Sequence, residues 1–358
     1  MLHMSSLFEN LYDVFFFFSN YLTNPKLRRD LKVLGISQRG YAYHSWELCK
    51  KIKISKLLEH PQSVDDIIRI KKIKNRDMLE SLLDFLVGQR ILNFRKNKYK
   101  FSGKAPKYMR SDDAFIKKNC PGSWEWSHYL YKHAEETLIE GHPHFKTGFF
   151  DSNALELWDY VLEESLHSLR LIAIKKLISN IKRDMKIADL GCGSGIALVE
   201  ILANSKEEIK LVGFDNSEEM IRRSKERIEK FKEEYPTPLN KRNVDTVELV
   251  YHNLTEKFPK DEKFDIVFLS LVISYIPKEK RDEFFKNINN ILKKEGKVII
   301  FQLLNQSKFN RVFSEWLLYV VPGFCGFPFK DEYLRMLKGN FRDIKSYFRS
   351  NIIVANKK

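Results

Sequence analysis

Residues Asp189-Leu190-Gly191-Cys192-Gly193-Ser194-Gly195 follow a short apolar run and precede another, Ile196–Leu202. Glycines at alternate positions let a backbone turn sharply and approach a ligand with no Cβ in the way. Asp215 ends the next apolar run, 24 residues after Gly191, where a carboxylate can accept hydrogen bonds from both hydroxyls of a ribose. Ser217 is placed to cap the helix that follows, and Glu218 and Glu219 in its first turn suit the helix dipole. The chemistry these types and spacings suit is the binding of a nucleoside.

Two nucleoside cofactors fit a glycine turn after a strand. A dinucleotide needs G-x-G-x-x-G, with its pyrophosphate on the helix N-terminus. Here the spacing is G-x-G-x-G, position 196 is Ile, and Asp189 precedes the glycines. A carboxylate aimed into the turn repels pyrophosphate and suits the cationic sulfonium and ammonium end of S-adenosylmethionine. The charge argument therefore favours S-adenosyl-L-methionine as the cofactor.

The elements that must position this turn alternate strand and helix from Met185 onward, the pattern of a parallel sheet with helices on its faces. Strands are predicted at Lys186–Leu190, Lys210–Phe214, Val247–Tyr251, Phe264–Leu269 and Lys297–Leu303, with two closing strands at Ile344–Tyr347 and Asn351–Asn356. The first half reads differently. From Trp46 to Phe101 short amphipathic helices alternate with turns: Ser63 and Asp66 form a capping-box entry, Met78, Leu79, Leu82, Leu83 and Leu86 share one face, and Ile91–Phe94 and Tyr99–Phe101 make a hairpin. Three helices and a hairpin in that order form a winged-helix arrangement. A long helix is expected over Leu155–Ile181, with the domain boundary near its start, giving 1–150 and 151–358.

Met185–Gly195, Phe214–Met220, Tyr251–Leu254 and Phe264–Pro277 resemble successive motifs of the Rossmann-like S-adenosylmethionine-dependent methyltransferases. The resemblance implies an α/β fold with a seven-stranded sheet. It also implies that Asp189, Gly191, Gly193 and Gly195 surround the methionine part and that Asp215 binds the ribose. Asn216 would flank the adenine, Asn253 and Leu254 would reach its amino edge, and Ser270 would lie beside the cofactor. Asn253 reads equally well as an ordinary loop asparagine. The N-terminal half, through Leu138–Phe145, resembles the small-molecule O-methyltransferases, whose N-terminal part forms a homodimer and contributes a wall of the acceptor pocket. Trp126 and Tyr275 are then candidate pocket walls or core aromatics.

One departure from that family matters. Plant-type members carry a His base in a Leu-His-Asp-Trp run, and this chain has Ile273-Ser274-Tyr275-Ile276, with Ser274 at the His position. A serine hydroxyl does not act as a base near neutral pH without a partner. His128, His133, His142, His144 and His167 lie in the segment expected to border the pocket, and region alone selects none of them. The apolar stretch Trp316–Phe329 reads either as a lid over a lipophilic acceptor or as a loop completing the core.

Composition bounds the remainder. The chain has 358 residues, 43% of them hydrophobic and 13% aromatic, enough for two cores, and a net charge of +15. Residues 1–110 hold 22 Lys/Arg against 10 Asp/Glu. That surplus supports a rival reading, a winged-helix nucleic-acid-binding protein or RNA methyltransferase. Against it, the helix that would enter a groove carries Asp77, Glu80 and Asp84, so nucleic acid is not the expected partner. Four dispersed cysteines predict neither a disulfide framework nor a metal site, which implies a reducing, cytoplasmic setting. The run Phe15–Phe18 lacks the basic flank and cleavage site of a secretory signal, and no stretch is long and apolar enough to span a membrane.

Overall fold

Strands buried on both faces read as nearly unbroken apolar runs, and the runs after Met185 assemble into one sheet. The computed structural model describes residues 22–103, 113–142, 152–258 and 262–358. By packing they form two interleaved units, one of residues 28–167 and 304–329, the other chiefly of 168–303 and 330–358. A single cut at residue 150 does not reproduce these units: the helix Ser152–Ser165 packs on the helix Pro121–Glu140, where the backbone N–H groups of Gly122 and Ser123 donate to the Glu164 carboxylate at 3.0 and 2.9 Å.

In the unit of 28–167 and 304–329, helix α1 is Pro25–Lys51, α2 Ile54–Leu57, α3 Val64–Lys71 and α4 Arg76–Gly88. The expected capping box is present on α3: Ser63 Oγ accepts from the Asp66 N–H at 3.1 Å while Asp66 accepts from the Ser63 N–H at 3.4 Å. The hairpin pairs β1, Leu92–Arg95, with β2, Lys98–Phe101. Gln62 adds a bridge to Tyr99, with N–H···O distances of 2.9 and 2.7 Å. Two further helices, α5 (Asp113–Asn119) and α6 (Pro121–Glu140), follow the hairpin along the chain. The helix expected over Leu155–Ile181 is two, α7 (Ser152–Ser165) and α8 (His167–Ile178), broken at Leu166. Phe15–Phe18 and His144 lie outside the described residues.

The sheet unit follows the expected alternation. It contains β3 (Met185–Leu190), α9 (Ile196–Asn204), β4 (Ile209–Asp215), α10 (Glu218–Glu234), α11 (Pro238–Asp245), β5 (Glu248–Tyr251), β6 (Phe264–Ser270), α12 (Arg281–Ile291) and β7 (Leu292–Phe301). Then come α14 (Lys330–Asn340), β8 (Phe341–Tyr347) and β9 (Ile352–Lys357), with the short α13 (Glu315–Leu318) assigned to the other unit. The strand order is β5-β4-β3-β6-β7-β9-β8, parallel through β7, with β9 antiparallel to both its neighbours. This is a seven-stranded α/β sheet. The chain leaves β3 toward β4 on one side and returns to β6 on the other, so the carboxyl end of β3 is a topological switch point, where open α/β sheets bind ligands.

Trp316, Leu317, Val320 and Val321 are each at most 1% exposed, and Phe324 and Phe327 at most 8%. The stretch read as a lid or a core loop is thus core, with α13 packed on α4 and α6. A polar network fixes it. Arg311 donates to Asp84 Oδ2 at 2.7 and 3.1 Å and to Glu315 Oε2 at 3.0 Å. Tyr99 donates to Asp84 Oδ1 at 2.6 Å, Ser81 to Glu315 Oε2 at 3.0 Å, and Asn305 and the Phe327 N–H to Glu315 Oε1 at 2.9 and 3.0 Å. Asp84 is therefore buried and neutralised. It is not one of three carboxylates on an exposed helix face, because the basic residue that pairs with it lies 227 positions away in sequence.

Candidate functional site

Registry brings the sequence motifs together. Asp189 lies beside Gly213 of β4 and Phe268 of β6, and Asp215 beside Tyr251 of β5, so the carboxyl ends of four strands share one edge. The turn leaves β3 with the Gly191 and Cys192 N–H groups both donating to the Phe214 carbonyl, at 2.7 and 2.9 Å. Gly191, Gly193 and Gly195 have φ of +73°, +56° and +81°, a region that L residues with side chains adopt at a cost.

The three glycines serve different ends. A Cβ on Gly191 would sit 2.6 Å from Val272 Cγ2, and one on Gly195 would sit 2.4 Å from Ser224 Oγ and 3.0 Å from Ser224 Cα. Those two permit the turn to pack against the β6 loop and α10. A Cβ on Gly193 would meet nothing within 4 Å, so that position borders open space. Arg227 of α10 donates to the Ser194 carbonyl at 2.9 Å and holds the turn from behind.

Asp189 is fully buried, and neither of its carboxylate oxygens has a hydrogen-bond partner. Burial, reinforced by the nearby negative charge of Asp215 and opposed by Arg170, pushes its pKa up to about 8. A desolvated carboxylate without donors is costly. A ligand that brings a cation and N–H donors removes that cost, whereas a diphosphate increases it. The buried ion pair of Arg170 with Glu200, at 2.7 and 2.8 Å, stands among the charges that act on this carboxyl. S-adenosylmethionine, which carries an ammonium and a sulfonium, fits the residues present.

Asp215 accepts the Gly193 N–H at 2.9 Å through Oδ2 and the Ser217 N–H at 3.0 Å through Oδ1. Burial raises its pKa, against the lowering pull of those N–H groups and that of Asn216. An ionised oxygen offers more than one acceptor site, so both retain capacity for ribose hydroxyls. Ser217 caps α10 as expected, accepting from the Met220 N–H at 3.3 Å. The Asn216 side chain is exposed.

The β5 loop is tied to the same edge by the His252 N–H donating to the Asp215 carbonyl at 2.9 Å. Asn253 uses Oδ1 within its own turn, accepting from the Thr255 N–H and hydroxyl at 3.1 and 3.0 Å. Leu254 is buried beside it. Sequence reasoning passed over His252, whose Nε2 is buried without a partner and whose ring lies 4.8 Å from that of Phe258.

After β6, Ser270 is half-buried at the strand end and Leu271 takes a left-handed φ of +63°. Two hydrogen bonds hold that strained corner: the Ser274 hydroxyl donates to the Leu271 carbonyl at 3.1 Å, and the Ile273 N–H donates to Gln302 Oε1 at 2.9 Å. Ser274 is 1% exposed and its proton is engaged, so at the His position it shapes a turn. Tyr275 ends this one-turn helix, half-buried. Gln302 was also missed, although a glutamine closing the run Val298–Phe301 is a readable signal.

Trp126 falls in the other unit, 1% exposed, its ring 5.4 Å from that of Trp158, and is a core aromatic there. His128 stacks on Trp124 with ring centroids 4.9 Å apart, His133 meets Tyr129 edge-on, His167 begins α8 and His142 is exposed. All four belong to the unit of residues 28–167 and 304–329.

Residues 181–340 match the family described as "Methyltransferase domain". The chain carries a methyltransferase domain. S-adenosylmethionine is the methyl donor of this class. The carboxy-S-adenosyl-L-methionine synthase of Idiomarina loihiensis is 28% identical over 156 residues, 42% of this chain and 59% of that protein. The synthase of Colwellia psychrerythraea is 23% identical over 170 residues, 46% of this chain and 65% of the other. The chain thus spans less than two thirds of these curated relatives.

Among solved structures, the chain superposes on the CurJ carbon methyltransferase with a TM-score of 0.69 at 10% identity, covering 94% of this chain and 98% of that one. It also superposes on the O-methyltransferase family 2 protein of Planctomyces limnophilus, solved with apigenin, with a TM-score of 0.55 at 15% identity, covering 94% and 96%. These likenesses show a shared fold.

Proposed function

We propose that this chain transfers the methyl group of S-adenosylmethionine to a small apolar acceptor, with oxygen the favoured atom and carbon the alternative. The observation that carries the reading is the buried Asp189 carboxyl group at the start of the glycine turn, whose two oxygens have no donor of the protein's own. When bound, the cofactor supplies an electrophilic methyl on a sulfonium. Asp189 accepts from its ammonium, Gly193 leaves the turn open to it, and Asp215 accepts from its ribose. The Ser270–Tyr275 corner, held by Ser274 and Gln302, walls the cofactor's side of the reaction space. In-line positioning and exclusion of water supply most of the rate in such a transfer, so the lack of a base at position 274 does not weigh against methylation of an acceptor that ionises readily.

We further propose that the chain works as a homodimer through its N-terminal helices, of winged-helix type, in a reducing cytoplasmic setting where its four thiols stay free. Light scattering on the purified chain tests the dimer. Titration calorimetry tests the cofactor: S-adenosylhomocysteine should bind at micromolar affinity while a nicotinamide dinucleotide gives no heat, and the reverse result would overturn the reading. The names of the curated relatives support a second reading, formation of a carboxylated sulfonium. Mass spectrometry of the nucleoside product separates the two, since methyl transfer yields S-adenosylhomocysteine and carboxylation retains the sulfonium.

A further inference from the structure

The N-terminal third carries a surplus of positive charge, and the packing shows where it stays unneutralised. Several helix cations find partners: Lys51 with Glu135 at 2.6 Å, Arg69 with Asp66 at 2.8 Å, Lys74 with Glu140 at 3.1 Å and Arg76 with Glu80 at 2.8 Å. The hairpin differs. Arg95, Lys96, Lys98 and Lys100 are all exposed, and none pairs with a carboxylate among the described residues.

The register makes this a surface. Phe94 and Tyr99 are cross-strand partners whose rings turn toward Phe309 and Lys308, with centroid distances of 5.1 Å from Phe94 to Phe309 and 4.2 Å from Phe94 to the Lys308 ammonium. Asn93, Arg95, Lys98 and Lys100 therefore share the opposite, solvent face, with Arg95 directly across from Lys98. Like charges placed opposite one another weaken a hairpin. Lys96 and Asn97 at φ +50° and +58° form the two-residue turn that matches strand twist. Same-face residues on a strand recur about every 6.7 Å.

We propose that this face docks the phosphate backbone of a nucleic acid. A ribbon with cations at regular spacing suits a polymer of regularly spaced charge, and a two-stranded ribbon fits the major groove of B-form DNA. A lipid surface fits less well, because residues 95–98 at the tip are all polar and Leu92 and Tyr99 are buried. The charge objection raised by α4 is also weaker in the fold: Asp84 is turned inward to Arg311 and Glu80 is paired with Arg76. No aromatic ring is exposed on the face to stack a base, so recognition is of backbone and tolerant of sequence. The proposal is independent of the methyl-transfer reading.

The test uses the full chain and fluorescence anisotropy with a labelled duplex DNA of about 20 base pairs, between about 50 and 200 mM salt. The variant Arg95→Gln/Lys98→Gln/Lys100→Gln is compared with a control of equal charge loss, Lys206→Gln/Lys210→Gln/Lys225→Gln, whose positions are exposed in the sheet unit. The hairpin variant should lose about tenfold or more in affinity and reduce the slope of log K against log salt by about two, while the control stays within about twofold. Unchanged thermal melting and S-adenosylhomocysteine binding establish that both variants fold. The proposal is overturned if the wild-type chain does not bind at the lower salt or if both variants weaken equally. It is equally overturned if the hairpin variant loses only binding to phosphatidylserine vesicles, which would make the partner a membrane.

Discussion

Two buried clusters of charge treat their carboxylates in opposite ways. Around Arg311 every oxygen of Asp84 and Glu315 accepts a hydrogen bond, from Arg311, Tyr99, Ser81, Asn305 or the Phe327 N–H. At the end of β3, Asp189 is as deeply buried and accepts none. A saturated buried network specifies a fold, and half of one is worse than none. On the proposed function, the carboxylate left empty at this switch point receives the cationic end of the cofactor. The difference is one of hydrogen-bond saturation, and it is legible without reference to any relative.

The comparison breaks most visibly at Arg311. Arg311→Met strands two buried carboxylates and should cost about 3–5 kcal/mol in urea unfolding; a loss under about 1 kcal/mol would mean that Asp84 and Glu315 are not held as described. Asp189→Asn should do the converse. The ligand-free chain melts within a few degrees of wild type, while S-adenosylhomocysteine affinity falls about 30-fold or more, equal to about 2 kcal/mol. If melting suffers and affinity does not, the two clusters do not differ in kind.

Glycine substitutions sharpen the contrast within the turn itself. Gly195→Ala meets Ser224 at a left-handed φ and should lower stability by about 1–3 kcal/mol. Gly193→Ala, with open space around it, should cost less stability and more cofactor affinity; thermal melts and calorimetry on the pair check this. The pH response is subtler. Because the Asp189 carboxyl has its pKa raised from 3.8 to about 8, the ligand-free folded state binds more protons than the unfolded one between these values, so stability falls as pH rises through that window. A cationic ligand selects the ionised form, so affinity should weaken as pH drops from 8 to 6, by at most about tenfold per pH unit, with proton release on binding. Calorimetry in buffers of differing ionisation heat reads this directly, and Asp189→Asn should flatten the profile.

The sheet unit was legible because its information is local. Apolar runs, the glycine turn and the Ser217 cap are each written within a few residues, and strand ends moved by only one or two positions except at β7 and β8. What was hidden is non-local. The partner of Asp84 lies beyond residue 300, so the carboxylate looked exposed when the helix was read alone. Trp316–Phe329 was equally readable as a lid, since an apolar run does not say what it packs on. The break at Leu166 has no Gly or Pro to announce it. At the site, Asp189, Asp215 and the glycines were readable from type and spacing. Ser274 looked like a defective base because its hydrogen bond to Leu271 depends on a backbone corner that no residue type foretells.

The order of strands across the sheet also differs from their order along the chain: β8 precedes β9 but lies outside it, reaching β7 only through β9. A polypeptide emerging from the ribosome therefore makes the rim before it makes the strip that joins rim to centre. Until Ile352–Lys357 is available, β7 presents a naked edge built of Val298, Ile299, Ile300 and Phe301, a template open to any passing strand. The nascent protein passes through an interval in which shielding must come from elsewhere, and that interval closes with a few residues near position 355.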